Sequence, residues 1–493
     1  MASGDIITRV ASQDTLLDVL NEVQKLNAAV IDATKIDWKS FFEARATGEV
    51  YSTKFYTYET DTSPDGIKMN ASEGLKAVPS TETTKGRDDF ALRNAFSFVD
   101  CNFICDENGK RIPTAIKGQS GFSYYGKVDV GILTPPTYWA IERHYDDGYY
   151  IVHFSDKKHP EYDMVPTPWC VDCDGNEMGY GIVTKYYAGY IDGILYSSSG
   201  LGVAGNMSYQ YGHTEMQKKG TGYYGSGSER TAYLLCMLWI KYATKNSQNV
   251  FLGCNNYNYE YKTVEETTDV NYVILKTTGA KNFVVGTCIG IVGRGEKRVR
   301  VTKIEEINGT ENSRVYVDAD AFSTAVDVTI ATCPSMTGET DNILGVDGFV
   351  KNDNKHAYRL GGIEDGIGSW YVSLNEIWSK DTETDVSLYV RGNAVWSTSV
   401  GNYTKIASHT FTESGSVWCG DLEIDESTGV AYMRVKGSGS STGCGDYYYK
   451  DTGTGLREAL WRGTLWYGLA DGLAVSYWYD GLSHRNWCLA VAV

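Results

Sequence analysis

No stretch of this sequence is long and apolar enough to span a membrane, and the opening residues, MASGDIITRVASQD, lack a basic segment followed by an apolar run. Neither membrane insertion nor a secretory signal is expected. A basic excess is also missing. Against 45 Lys and Arg stand 62 Asp and Glu, a net charge of −17, which argues against a nucleic-acid backbone or an anionic membrane surface as partner. Proline is scarce, at 9 residues. The seven histidines (His144, His153, His159, His213, His356, His409, His484) show no close metal-ligand spacing, and neither a G-x-S-x-G nor a Walker sequence occurs. Eleven cysteines, an odd number scattered over the whole length, form no dense framework and fit free thiols in a reducing cytoplasm.

What is abundant points to strands. Glycine reaches 53 residues and Tyr outnumbers Phe by 37 to 14, a composition of many strands joined by tight turns with tyrosine-rich outer faces. The expected fold class is α+β and β-dominated. At 493 residues the chain has room for about three domains. The pattern divides it into an N-terminal helical stub over 1–48, a β domain over 49–186, and a C-terminal domain formed by 187–262 and 342–493. A small β-barrel or sandwich over 263–341 is inserted into the last.

Leu16, Val19, Val23, Leu26 and Val30 make the a/d seam of about two heptads. This is either a short oligomerising stub or one amphipathic helix packed on its own domain. Asp61–Asp89 reads as a long exposed loop or arm. Cys101 with Cys105 and Cys170 with Cys173 could supply four thiolates to a structural zinc, with ordinary reduced cysteines as the other reading. Asp172–Glu177 reads as a surface turn rather than a calcium loop. Ser228–Lys245 is the strongest helix, capped by Ser228 and apolar over most of its circumference, hence buried scaffold with Cys236 and Met237 in the core. Gly290, Gly293 and Gly295 mark a hairpin turn, and Arg294, Lys297, Arg298 and Arg300 a solvated basic strand face.

The densest aromatic stretch is the last one. Between Trp461 and Trp487 four tryptophans and three tyrosines are threaded through glycines, with Asp480, His484 and Arg485 among them. Neighbours on a strand point to opposite faces, so Tyr477, Trp478 and Tyr479 cannot all point inward. Part of the set is therefore expected on a contact surface.

Three segments together carry a resemblance: ERTAYLLCMLWIKYATKNSQNVFLG from Glu229, YRLGGIEDGIGSWYVSLNEIW from Tyr358, and the terminal GDYYY…LREALWRGTLWYGLADGLAVSYWYDGLSHRNW. The set resembles the C-type-lectin-like domain of phage tail-fibre and receptor-binding proteins and the variable proteins of diversity-generating retroelements, of the major-tropism-determinant type. A more distant likeness is to the formylglycine-generating-enzyme fold. The resemblance implies a ligand-binding face on the last strands, with Gly463, Gly468 and Gly472 as fixed glycines. Trp466, Tyr467, Ser476, Trp478, Tyr479, His484 and Arg485, with Asp480 beside them, would be the exposed binding residues. It further implies a homotrimer in a virion, made in the host cytoplasm, that adsorbs to a host cell-surface protein or glycan and contacts other virion proteins. A structural virion role is the alternative. The distant enzymes work through a copper-binding cysteine pair. No two of Cys419, Cys444 and Cys488 match such a pair, so they read as inert thiols and no enzymatic activity or cofactor is expected. A glycan-cleaving carboxylate pair is the remaining enzymatic reading.

Overall fold

Strands far outnumber helices, as the glycine-punctuated, tyrosine-rich sequence requires. The computed structural model describes residues 36–81, 84–294, 297–341, 353–412, 414–468 and 471–493, so the heptad stretch at 16–30 lies outside the described residues. Two sheets come first. One has the strand order Val165–Pro166, Tyr138–His144, Tyr149–Ser155, Tyr51–Tyr56, Ile67–Asn70, and the other Gly181–Thr184, Asp129–Thr134, Val99–Cys105, Arg111–Ile116.

The expected Asp61–Asp89 arm is instead folded onto the first sheet. Ile67–Asn70 pairs antiparallel with Tyr51–Lys54, and Ala77–Val78 with Arg87–Asp88. Lys68 Nζ donates to the carbonyls of Leu75 and Lys241, and Asp88 accepts from buried Lys241 at 2.5 Å. Polar residues hold this segment down through partners far away in sequence, which local composition does not reveal.

The long apolar run forms a helix over Ser228–Met237 that continues as a π turn over Leu238–Tyr242. Among its residues up to Lys241, Glu229 alone is not buried. The expected Ser228 cap is displaced by one position: Gly227 is the N-cap, its N–H donates to Glu229 Oε2 at 2.7 Å, and Ser228 Oγ donates to Thr428 O. An acidic side chain thus meets the partial positive charge of the helix start. The helix sits in one continuous core. Tyr51, Phe55 and Trp139 reach it from the first sheet, Trp169 from the turn Pro168–Cys170, and Trp378, Tyr448, Trp461 and Trp478 from the C-terminal sheet, with Cys236 and Met237 buried between.

The largest sheet runs Thr404–Thr410, Asp385–Val390, Trp370–Lys380, Gly455–Trp461, Ser476–Trp478, Tyr447–Lys450, Gly415–Ile424, Ala431–Lys436, with Leu489–Ala490 added parallel to Trp370–Lys380. Its second face forms another apolar cluster with Met207, Tyr209 and Met216 on and beside the Tyr209–Gln217 helix. A separate six-stranded sheet, in the order Glu260–Lys262, Thr329–Thr332, Cys288–Ile291, Arg298–Glu306, Asn312–Val317, Tyr272–Lys276, has its own core of Val273, Ile289, Val301, Val315 and Ile330. Gly290 and Gly293 sit at the expected hairpin between Cys288–Ile291 and Arg298–Glu306. The basic face next to it is not simply solvated. Arg298 donates to the carbonyls of Val203 and Trp487, and Arg294 donates to Thr332 O while its guanidinium lies 5.3 Å from the Trp487 ring. These arginines clasp the inserted sheet to the C-terminal chain.

Burial of Glu376 has a consequence for stability. Its Oε1 accepts from Trp461 Nε1 at 2.6 Å, and desolvation pushes the carboxyl up from 4.5 to about 7. Because the folded value is above the unfolded one, this group's stabilising contribution is fully present below about pH 4.5 and is lost as pH rises through about 7. The loss amounts to about 3 kcal/mol. Glu376→Gln keeps an acceptor for Trp461 without a charge, so its stability relative to the parent rises between pH 5 and pH 7.5 in urea titrations. A difference that is constant with pH would rule out the buried carboxyl as the cause.

Candidate functional site

Alternation along the last strands sorts their aromatics onto two faces. Tyr448, Trp461, Ser476 and Trp478 turn into the core that holds the Ser228–Met237 helix, with Trp478 stacked 3.7 Å from Trp378. Tyr449 and Tyr477, paired in register on parallel strands, turn to the other face and stack at 4.7 Å with their planes 15° apart. Two expected binding residues are therefore corrected: Trp478 and Ser476 are both fully buried, because they occupy the inward positions of their strand.

The remaining six lie at or near the surface. Trp466, Tyr467 and Tyr479 are 40%, 38% and 49% exposed. His484 and Arg485 are exposed and Asp480 is half-buried. The rings form a continuous belt: Trp487 to Trp466 at 5.5 Å, Trp466 to Tyr467 at 6.1 Å, Tyr467 to Trp370 at 5.9 Å and Trp370 to Tyr477 at 5.2 Å. Tyr479 closes one end, 5.9 Å from both Tyr449 and Tyr477. Charge borders the belt. Arg485 lies 3.6 Å over the Tyr211 ring and donates to Asn206 O, and His484 Nε2 lies 3.6 Å from Asp480 Oδ1. Burial raises the Asp480 carboxyl above its ordinary value, and the His484 charge opposes that shift.

The loop that presents Trp466 and Tyr467 is pinned from several sides. Leu465 is fully buried in the core of the inserted sheet, Tyr257 N–H donates to Leu465 O at 2.9 Å, and Gly468 N–H donates to Asn255 O at 2.7 Å. The buried Asp446 carboxylate accepts from Gly472 N–H at 2.7 Å and Ala474 N–H at 2.9 Å. Gly463 has no room for a side chain, since a Cβ there would fall 1.2 Å from Asp471 Oδ1, and Gly468 takes a φ of +61°. A Cβ on Gly472 would fall 2.4 Å from Ser247 Oγ and 2.5 Å from Asp446 Oδ1, so all three glycines expected to be fixed are demanded by close approach or backbone geometry. Aromatics on such a support present a large contact area with little rotamer entropy left to lose.

Sequence reasoning missed Trp370, Tyr449, Tyr477 and Trp487 as members of the belt. The strict alternation in Tyr447, Tyr448, Tyr449 and in Tyr477, Trp478, Tyr479 was the available signal for two of them. Nothing local places Trp370 there; strand pairing across the sheet does.

The four cysteines of the expected zinc set do not converge. Cys101 is packed in the second core cluster, while Cys170 lies in the first and contacts the hydroxyls of Thr137 and Thr134. Cys105 and Cys173 line one cavity, with Cys105 also packed against the second cluster. The zinc set does not assemble: among the described residues no three His, Cys, Asp or Glu side chains are grouped to hold a metal ion. Asp172 forms the expected surface turn, its Oδ1 accepting from the N–H groups of Asp174 and Asn176. Cys419 and Cys444 do come together, a contact their sequence separation conceals, but both are buried and burial holds the Cys419 thiol well above its ordinary value. Among the described residues no helix is long and apolar enough to cross a membrane. No protein-family model matches this chain, and no curated protein is significantly similar to it.

Proposed function

We propose that this chain is a receptor-binding subunit of a phage particle, a tail-fibre tip whose C-terminal half has the C-type-lectin-like fold with the small β domain of 263–341 inserted. The belt adsorbs to a protein or glycan on the host surface. The observation that supports this reading is the seven-ring belt, with Trp466, Tyr467 and Tyr479 exposed and Trp370 buried beneath, held on paired strands and a pinned loop in the stretch where the resemblance implies a ligand-binding face. Exposed aromatics in a contiguous patch are unusual on a surface that serves no contact. Several copies per particle, in a homotrimer assembled with other virion proteins, would convert weak single sites into firm attachment. No bond is made or broken in this role.

The test is adsorption of purified protein to host cells, comparing the parent with a Trp466→Ala, Tyr467→Ala, Tyr479→Ala variant. Each ring contributes on the order of 1 kcal/mol or more, so single-site affinity falls about 100-fold. Thermal unfolding stays close to that of the parent, because all three rings are partly solvated. Unchanged adsorption, or a belt found covered by neighbouring subunits in assembled particles, would replace this reading with that of a structural virion protein.

A further inference from the structure

A cavity of about 210 Å³, lined by none of the belt rings, lies where the first sheets meet the start of the Ser228–Met237 helix and the strands Trp370–Lys380 and Asp385–Val390. Arg111, Trp169, Cys173, Tyr224, Asn375 and Arg391 line it, and exposed Gly175 marks its rim. The volume is below the roughly 300–1,000 Å³ of drug-sized sites, which suits a small ligand.

The two arginines differ. Arg111 is paired: Nη1 donates to Ile182 O at 3.0 Å, and Nη2 to Ser226 Oγ at 2.8 Å, Val493 O at 3.2 Å and the Glu229 carboxylate at 3.3 Å. Arg391 is only 5% exposed, yet among the described residues its guanidinium makes one hydrogen bond, from Nη1 to Ala394 O at 3.0 Å, and lies 4.4 Å over the Tyr224 ring. Nothing among the described residues accepts from its Nε. The carboxylates at the cavity are already engaged. Glu229 serves Arg111 and Gly227 N–H, and Asp172 accepts from the N–H groups of Asp174 and Asn176 and from Asn176 Nδ2. Asn375 stands next to Arg391, its Oδ1 accepting from Gly392 N–H at 3.1 Å, which fixes the amide and leaves its Nδ2 as the donor for a ligand. A cation buried without a counter-charge costs several kcal/mol unless something supplies one.

We propose that this cavity binds a small ligand through an oxyanion group, a carboxylate or phosphate, held by the Arg391 guanidinium with the Asn375 amide donating beside it. A planar guanidinium fork matches either group. The site is independent of the receptor-binding reading and would stand if that reading failed.

The assay uses the protein's own thiols. Cys105 and Cys173 both line the cavity and are the two of eleven cysteines that are not buried, so alkylation of the native protein by iodoacetamide, mapped by peptide mass, reports on this place. Inorganic phosphate and glucuronate serve as probes, with sodium chloride at matched ionic strength as control. Occupancy slows Cys173 alkylation at least several-fold with phosphate, glucuronate or both, and whichever protects identifies the source of the oxyanion. Arg391→Gln abolishes that protection. If neither probe protects the parent, or if the variant is protected equally, the proposal is overturned. The parent experiment needs no substitution and decides the matter even if Arg391→Gln does not fold.

Discussion

Trp478→Ala lowers the free energy of unfolding by about 3–5 kcal/mol and leaves no stable C-terminal sheet on which to present the belt. The indole is fully buried and stacked on Trp378 at 3.7 Å. Phe411 and Tyr448 meet it edge-on at 4.8 Å and 4.9 Å, and its Nε1 donates to Ser476 Oγ at 2.6 Å. Truncation removes the transfer energy of a large ring and leaves a cavity that these rigid neighbours cannot collapse to fill. Tyr479, one residue on, is 49% exposed, and Tyr479→Ala changes stability by less than about 1 kcal/mol. Denaturant midpoints of the two variants check this directly. Equal, small shifts would place Trp478 on the surface after all and restore it to the binding face.

Asp421→Ala costs a similar amount, about 3–5 kcal/mol, by a different route. The carboxylate is fully buried on the Gly415–Ile424 strand and joins three segments. Its Oδ1 accepts from Lys245 Nζ at 2.7 Å, and its Oδ2 from Arg434 Nη2 and from Tyr58 N–H, each at 2.7 Å. Without it Lys245, whose side chain is 1% exposed, is a buried cation with no counter-charge, left with the Tyr56 carbonyl at 3.1 Å. Removing that cation as well, in Lys245→Met with Asp421→Ala, recovers part of the loss, which a double-mutant cycle measures as a coupling energy. A double variant no more stable than Asp421→Ala alone would show that the ion pair is not what joins the C-terminal sheet to the first one.

Much of the fold was legible because it rests on local periodicity. The Ser228–Met237 helix is apolar nearly all round and therefore buried, and the Cys288–Ile291 and Arg298–Glu306 hairpin is written in its glycines. Where the reading failed, long-range polar contacts were responsible. The Asp61–Asp89 segment looked like a free arm because it is held in part by Lys241, more than a hundred residues away. The basic patch looked solvated because the carbonyls that Arg298 satisfies belong to Val203 and Trp487.

The candidate site divides in the same way. By itself the sequence determined that the last strands are dense in aromatics, that successive rings on a strand oppose one another, and that glycines are needed between them, since these follow from residue type and the two-residue period of a strand. Which parity faces outward was decided only by the tertiary structure. The register of Ser476–Trp478 between Gly455–Trp461 and Tyr447–Lys450 sends Trp478 toward Trp378 and turns half-buried Tyr449 and Tyr477 to the opposite face, where they meet buried Trp370, because one face of that sheet must cover the central helix.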